Sequence, residues 1–292
     1  MKKLLALLLL ALVTALCFGC VSTYNNTVDP NNQVFAGTVF WVGDDEADLS
    51  ETAPRILILG NSITLHAPKA EIGWEGNWGM AASSQDKDYV HLLYARVKAQ
   101  YGGARICILQ ATYWENYFWQ KEYPAFFADA RDFSPDVIIF RLGENISKSG
   151  MQSHRVYDGL TDLIRFLSAP SNTARTSLNV PTNATLLQDS SATQPTKASL
   201  APKPPVPKSA KLIFTTSFWS GGQRQKYDDA VKKYVRGAGD VARLVELGDL
   251  GNDNSMRAIG LFAHEGVANH PGDKGMQAIA DRIWPALSLA LS

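Results

Sequence analysis

Several resources of other protein classes are missing from this sequence. It has only three cysteines, two of them within the first twenty residues. Cys107 is therefore the single thiol of the body, and a disulfide scaffold is excluded. Neither sign of charge is in excess, with 28 Lys and Arg against 28 Asp and Glu. That balance leaves no electrostatic footprint for nucleic acid, and no basic stripe supplies one. Long apolar runs are also absent: the longest, Leu4 to Leu16, falls short of the roughly 20 residues that a membrane-spanning helix needs. No internal repeat is present. Apolar residues nevertheless make up 46% of the chain, twelve of them Phe, which excludes a disordered polymer. The length of 292 residues suits one large domain or two small ones.

Met1-Lys-Lys, an apolar stretch and then Cys17-Phe-Gly-Cys20 have the order of an export signal over residues 1–20. Gly19-Cys20 resembles a bacterial lipoprotein boundary, which implies a lipidated Cys20 and a membrane-anchored protein. Ordinary cleavage and release is the alternative, and both place the mature protein outside the cytoplasm. Residues 21–36, rich in Asn, Thr and Asp without periodicity, read as a tether to a domain at 37–292. Within that domain, 169–210 is a Ser, Thr, Ala and Pro stretch that reads as a disordered surface insertion. Such an insertion is tolerable because loop-closure entropy grows slowly with length.

Five short apolar runs have the pattern of strands buried on both faces. They are Arg55–Gly60, Ala104–Gln110, Asp136–Leu142, Lys211–Ser217 and Ala242–Leu247. Helical spacing appears between and after them: Val90, Leu93, Tyr94 and Val97 stop at Gly102-Gly103, and Val156, Leu160, Leu163, Ile164 and Leu167 form a second set. Tyr227, Ala230, Val231 and Tyr234 make a third, and Met276, Ile279, Ala280, Ile283 and Leu287 a fourth. Strands joined by helical crossovers run parallel, so the expected fold is an α/β three-layer, doubly wound sandwich with a five-stranded parallel sheet. Ligands in such folds sit beyond the carboxyl ends of the strands.

The residues at those exits are the ones suited to chemistry. Ser62, in Gly60-Asn-Ser-Ile-Thr-Leu-His66, sits on a tight turn whose backbone N–H groups face developing negative charge, although a serine here also suits a helix cap. Asn145, in Gly143-Glu-Asn-Ile146, can donate its amide to an oxyanion or close an Asx turn. His270, before Pro271, lies on the loop that opens the last helix, within reach of a serine after the first strand.

Taken in this order, the three segments resemble the SGNH (GDSL-type) hydrolase family over roughly Pro54 to Leu287. The resemblance implies an SGNH/flavodoxin-like sandwich and acyl transfer in which Ser62 is nucleophile, His270 base, and Asn145 with the Ser62 N–H the oxyanion donors. It implies no metal or other cofactor. Three departures accompany it. Asn61 precedes Ser62 where the family more usually has Asp. Val267 stands three residues before His270 where the family has the Asp that orients the imidazole, which leaves Glu265, Asp273 or a backbone carbonyl for that task, with Asp273 better suited to capping the last helix. The second strand exit, Gln110-Ala-Thr-Tyr-Trp-Glu115, lacks the oxyanion glycine, so Ala111, Thr112 or Gly79 is the expected substitute.

Trp74, Trp78, Trp114 and Trp119 concentrate in the stretches after the first two strands. They suit either sugar stacking or packing of those stretches, with His66, Trp74 and Trp78 as the expected substrate contacts. Export and family together imply an exported esterase that removes acetyl groups from a glycan or a small ester. A glycan O-acetyltransferase would use the same residues. A catalytically dead glycan-binding module is the alternative that Val267 raises.

Overall fold

The computed structural model describes residues 39–43, 52–169 and 210–292. The expected signal at 1–20 with Cys20, the tether at 21–36 and the interior of the expected insertion lie outside the described residues. No helix among the described residues is long and apolar enough to cross a membrane.

The strands are β1 (Val39–Gly43), β2 (Arg55–Gly60), β3 (Arg105–Gln110), β4 (Val137–Arg141), β5 (Lys211–Thr215) and β6 (Ala242–Val245). They form one sheet in the order β1-β3-β2-β4-β5-β6. β2 to β6 are parallel, with Ile58 beside Ile108 and Ile139 in register. The five strands expected from the apolar runs all form. β1 is an addition: it pairs antiparallel with β3, Trp41 opposite Cys107, and closes that edge of the sheet.

Alternation along each strand creates the two faces of the sandwich. Ile56, Ile58, Ile106, Ile108 and Ile139 point to one side, against α1 (Tyr89–Tyr101) and α8 (Asp273–Leu291). Leu57, Leu59, Leu109, Ile138, Phe140 and Phe214 point to the other. That side carries α2 (Thr112–Tyr117), α3 (Ala125–Asp132), α5 (Val156–Ser168) and α6 (Arg224–Ala238). Two short helical turns, α4 (Gly150–Ser153) and α7 (Glu265–Ala268), complete the set. Caps define α1: the Asp88 carboxylate accepts the His91 N–H at its start, and Gly102 at its end donates to the Lys98 carbonyl.

α2 and α3 occupy the aromatic stretch after β3, and they decide between stacking and packing for part of it. Trp114, Phe118, Phe126 and Phe127 are buried in the second apolar layer and do not face a cleft. Trp119 lies parallel to the His154 ring, with centroids 5.2 Å apart, and covers Gly150.

Gly159 marks where α5 meets the end of α2. Replacing a helical glycine by alanine gains about 1 kcal/mol of helix propensity. A Cβ at 159 would stand 2.2 Å from the Phe118 carbonyl oxygen, however. Overpacking of this kind costs roughly 1–3 kcal/mol, which outweighs the gain. Gly159→Ala should lower the midpoint of urea unfolding, and a raised midpoint would show that the two helices separate without penalty.

Candidate active site

Ser62 sits one turn beyond the carboxyl end of β2. The Asn61 carbonyl accepts the Thr64 and Leu65 N–H groups, and the Asn61 side-chain oxygen accepts from Ile63 N–H at 3.2 Å. Asn61 therefore caps the turn, and the Ser62 hydroxyl is left for other work. Its Oγ lies 2.8 Å from His270 Nε2. The Ser62 carbonyl accepts from Met80 N–H, whereas the Ser62 N–H has no backbone acceptor among the described residues.

His270 is delivered by α7 and the turn after it. Its backbone N–H donates to the Val267 carbonyl and its carbonyl accepts from Ala258 N–H, which ties the loop to residues 256–258. The ring Nδ1 is 2.7 Å from the Gly266 carbonyl oxygen. A carbonyl only accepts, so the proton is on Nδ1 and Nε2 is bare toward Ser62. Burial pushes the imidazole pKa down to about 4; the Gly266 contact opposes this, and the nearby His66 adds to it. At neutral pH the ring is thus a neutral base.

This geometry corrects the expected role of Glu265. That residue is exposed, and the backbone carbonyl of the next one takes the imidazole N–H. Val267, where the resemblance leads to an expected Asp, is fully buried in a small apolar cluster with Trp74, Met80, Ala81 and Ala258. Asp273 does not cap its own helix either. Its carboxylate accepts from Ser83 N–H and Oγ at 2.7 and 2.8 Å and pairs with Lys87, fastening the start of α8 to the segment before α1.

Beneath the turn lies a buried polar cluster built from four strand exits, the last of them supplying Phe218 after β5. Glu115 on α2 follows β3, Asn61 follows β2, and Gly143, Glu144 and Asn145 follow β4. Glu115 Oε1 accepts from Gly143 N–H at 2.6 Å and Asn61 Nδ2 at 3.1 Å, and Oε2 accepts from Asn145 Nδ2 at 2.8 Å. Glu144 takes the second Asn61 Nδ2 proton at 2.6 Å, the Phe218 N–H at 2.7 Å and Arg141 Nη1 at 2.8 Å. Gly143 makes this convergence possible. Its φ is +122°, and a Cβ there would meet the Tyr227 ring at 2.6 Å.

The two carboxyls titrate differently. Burial works against the Glu144 anion, but Arg141 and the N–H donors outweigh it and hold the group below the usual carboxylate range. Burial, and then the charge of Glu144, push Glu115 up to about 7 against the pull of Asn145, Gly143 and Asn61. Sequence reasoning missed Glu115, since nothing in the letter E signals burial.

Asn145 is half-buried, and both its side-chain Nδ2 and its backbone N–H donate to Glu115, at 2.8 and 3.4 Å. The other expected oxyanion donors are used elsewhere. Gly79 N–H goes to Asp88 Oδ2 at 3.1 Å, Ala111 N–H to the Gly60 carbonyl at 2.7 Å, and Thr112 N–H to Gln110 Oε1 at 3.0 Å. Gly79 is thereby corrected from donor to structural residue. Trp74, an expected substrate contact, is buried and donates Nε1 to the His66 carbonyl, a packing role within its loop. Trp78 is half-buried, edge-on to Trp74, and donates to the Ala82 carbonyl. His66 is half-buried with Nδ1 on the Ala67 carbonyl, and burial depresses its pKa. Trp219 was missed. It follows β5, is half-buried, and stands edge-to-face with His270 at 6.2 Å. Its position directly past a strand exit was the available signal.

No protein-family model matches the chain, and no curated protein matches it. Among solved structures, the chain is similar to a Clostridium thermocellum family 3 carbohydrate esterase, with 14% identity and a TM-score of 0.43. That match covers 82% of this chain and 97% of the other. It is also similar to the salicylyl-acyltransferase SsfX3 from a tetracycline biosynthetic pathway, with 16% identity and a TM-score of 0.41, over 83% of this chain and 56% of the other.

The cluster accounts for Asn61 in place of the more usual Asp. Each Nδ2 proton serves one carboxylate, and an Asp would set acceptor against acceptor on both sides. Asn61→Asp should cost roughly 3–5 kcal/mol at pH 8, and less at pH 5 where a carboxyl in the group can hold a proton. Denaturant unfolding at the two pH values measures it; equal, wild-type stability at both would contradict the placement of Asn61.

Proposed function

We propose that the protein is an SGNH-type serine ester hydrolase that removes an acyl group, acetyl in the first instance, from a carbohydrate. The observation that carries the reading is the Ser62 Oγ to His270 Nε2 contact of 2.8 Å, with Nδ1 held on the Gly266 carbonyl. His270 Nε2 takes the hydroxyl proton as Ser62 Oγ bonds to the ester carbonyl carbon. The Ser62 backbone N–H and the second Asn145 side-chain N–H donate to the oxyanion. Collapse expels the alcohol, which leaves with the proton from Nε2, and water then attacks the acyl-enzyme by the same route.

A backbone carbonyl keeps the Nδ1 tautomer but bears no full charge. It stabilises the imidazolium of the transition state less than a carboxylate does, so modest turnover is expected. The carbohydrate assignment is supported by the half-buried indole of Trp219, edge-to-face with His270, since an indole offers an apolar face with one polar edge. Export with a lipid at Cys20 belongs to the same proposal and rests on the N-terminal sequence.

Turnover of p-nitrophenyl acetate should fall by roughly 10⁴-fold or more in Ser62→Ala and in His270→Ala. Background from wild type equal to that of both variants would instead favour the binding module. Release of acetate from an acetylated polysaccharide tests the carbohydrate part. In the wild-type pH profile, protonating His270 removes the base, so the lowest limb of kcat/KM should fall near pH 4 and not near 6.5. A lowest limb at 6.5 would show that burial does not act on this ring as described.

A further inference from the structure

Glu115 is a fully buried acid that the reaction above does not use, yet it touches two of the segments that do. It offers acceptors on both oxygens while ionised, and its hydrogen-bond partners are all donors: Gly143 N–H, Asn145 N–H, Asn61 Nδ2 and Asn145 Nδ2. An amide has two chemically different ends. Facing an ionised carboxylate, Asn145 has to present Nδ2 and not Oδ1, and one Nδ2 proton remains. Glu115 is closed off from solvent, Asn145 is only half-buried, and among the described residues that second proton has no acceptor.

We propose that Glu115 is a positioning residue: its carboxylate fixes the end and the rotation of the Asn145 amide, and so sets the side-chain oxyanion donor. The inference rests on the hydrolase reading. A protonated Glu115 would donate from one oxygen, and the fit is then broken at Gly143 or at Asn145. Oxyanion stabilisation should therefore depend on the ionisation of Glu115. The charged and titratable groups around it are Glu144 and Arg141 from β4 and its exit, and Tyr227 from α6. Arg141 keeps Glu144 ionised, and burial keeps the Tyr227 phenol protonated, so Glu115 is the member that changes state near neutrality.

The test uses the full protein with p-nitrophenyl acetate over pH 4.5 to 9, a range of roughly two units either side of Glu115. Wild type should show a step upward toward neutral pH above the His270 limb. Glu115→Gln keeps the volume but can accept on one oxygen only. It should lower kcat by roughly 10–100-fold with KM little changed, and it should lose the step. In an Asn145→Ala background, Glu115→Gln should add less than about 2-fold, because a residue acting through Asn145 has nothing left to position. An unchanged step in Glu115→Gln, or a full additive loss without Asn145, would overturn the proposal. Should Glu115→Gln fail to give a cooperative melt, the wild-type profile decides, and a flat plateau above the His270 limb overturns it. Activity surviving in Ser62→Ala would instead sink the hydrolase reading, a result separate from any of these.

Discussion

Glu115 and Glu144 lie beneath the cleft with one guanidinium, Arg141, to balance them. With both carboxyls ionised the buried group carries a net negative charge, and burying such charge is expensive unless donors surround it. The donors come from the ends of three neighbouring strands, as side-chain amides and backbone N–H groups. Neutralising this charge and bringing the strand exits together are therefore one event. Ser62 and Asn145 are placed because each sits next to, or is itself, one of those donors.

The carbonyl behind His270 follows from how the chain winds through α7. The loop turns the side chain of Val267 into an apolar pocket with Trp74 and Met80, which leaves main-chain oxygen as the nearest acceptor for the ring. The arrangement settles tautomer and orientation without charge. A neutral, half-buried ring with a carbonyl and no carboxylate on Nδ1 also resists protonation, consistent with the direction of its pKa shift.

The strands were legible because residues such as Ile56 to Leu59 are buried on both faces, so a continuous apolar run has no other home. α1, α5, α6 and α8 were legible from one-sided spacing, and Gly102 from its cap. α2 and α3 were not: Trp114, Phe118, Phe126 and Phe127 look alike in sequence whether they cover a sheet or face a ligand. The pairing of Ser62 with His270 was approachable from chain order and strand exits. A carbonyl behind His270 was among the orienters left open, but neither Glu115 nor the choice of Gly266 was legible, since the burial of an acid and the direction of a main-chain oxygen leave no mark in residue identity. Gly79 and Ala111 illustrate the same limit, because an N–H counts as available only once its acceptor is known.

Asp273 clasps the start of α8 to Ser83 and Lys87, and this clasp helps hold the histidine loop against the body. Ser62 and His270 are 208 residues apart, and His270 comes just before that closing helix. During synthesis the serine side of the cleft emerges long before its partner. A nascent or partly closed chain would thus expose an unactivated hydroxyl, and competence would arrive only when the final helix docks. On the proposed reading, acyl chemistry would in that sense be a readout of completed folding.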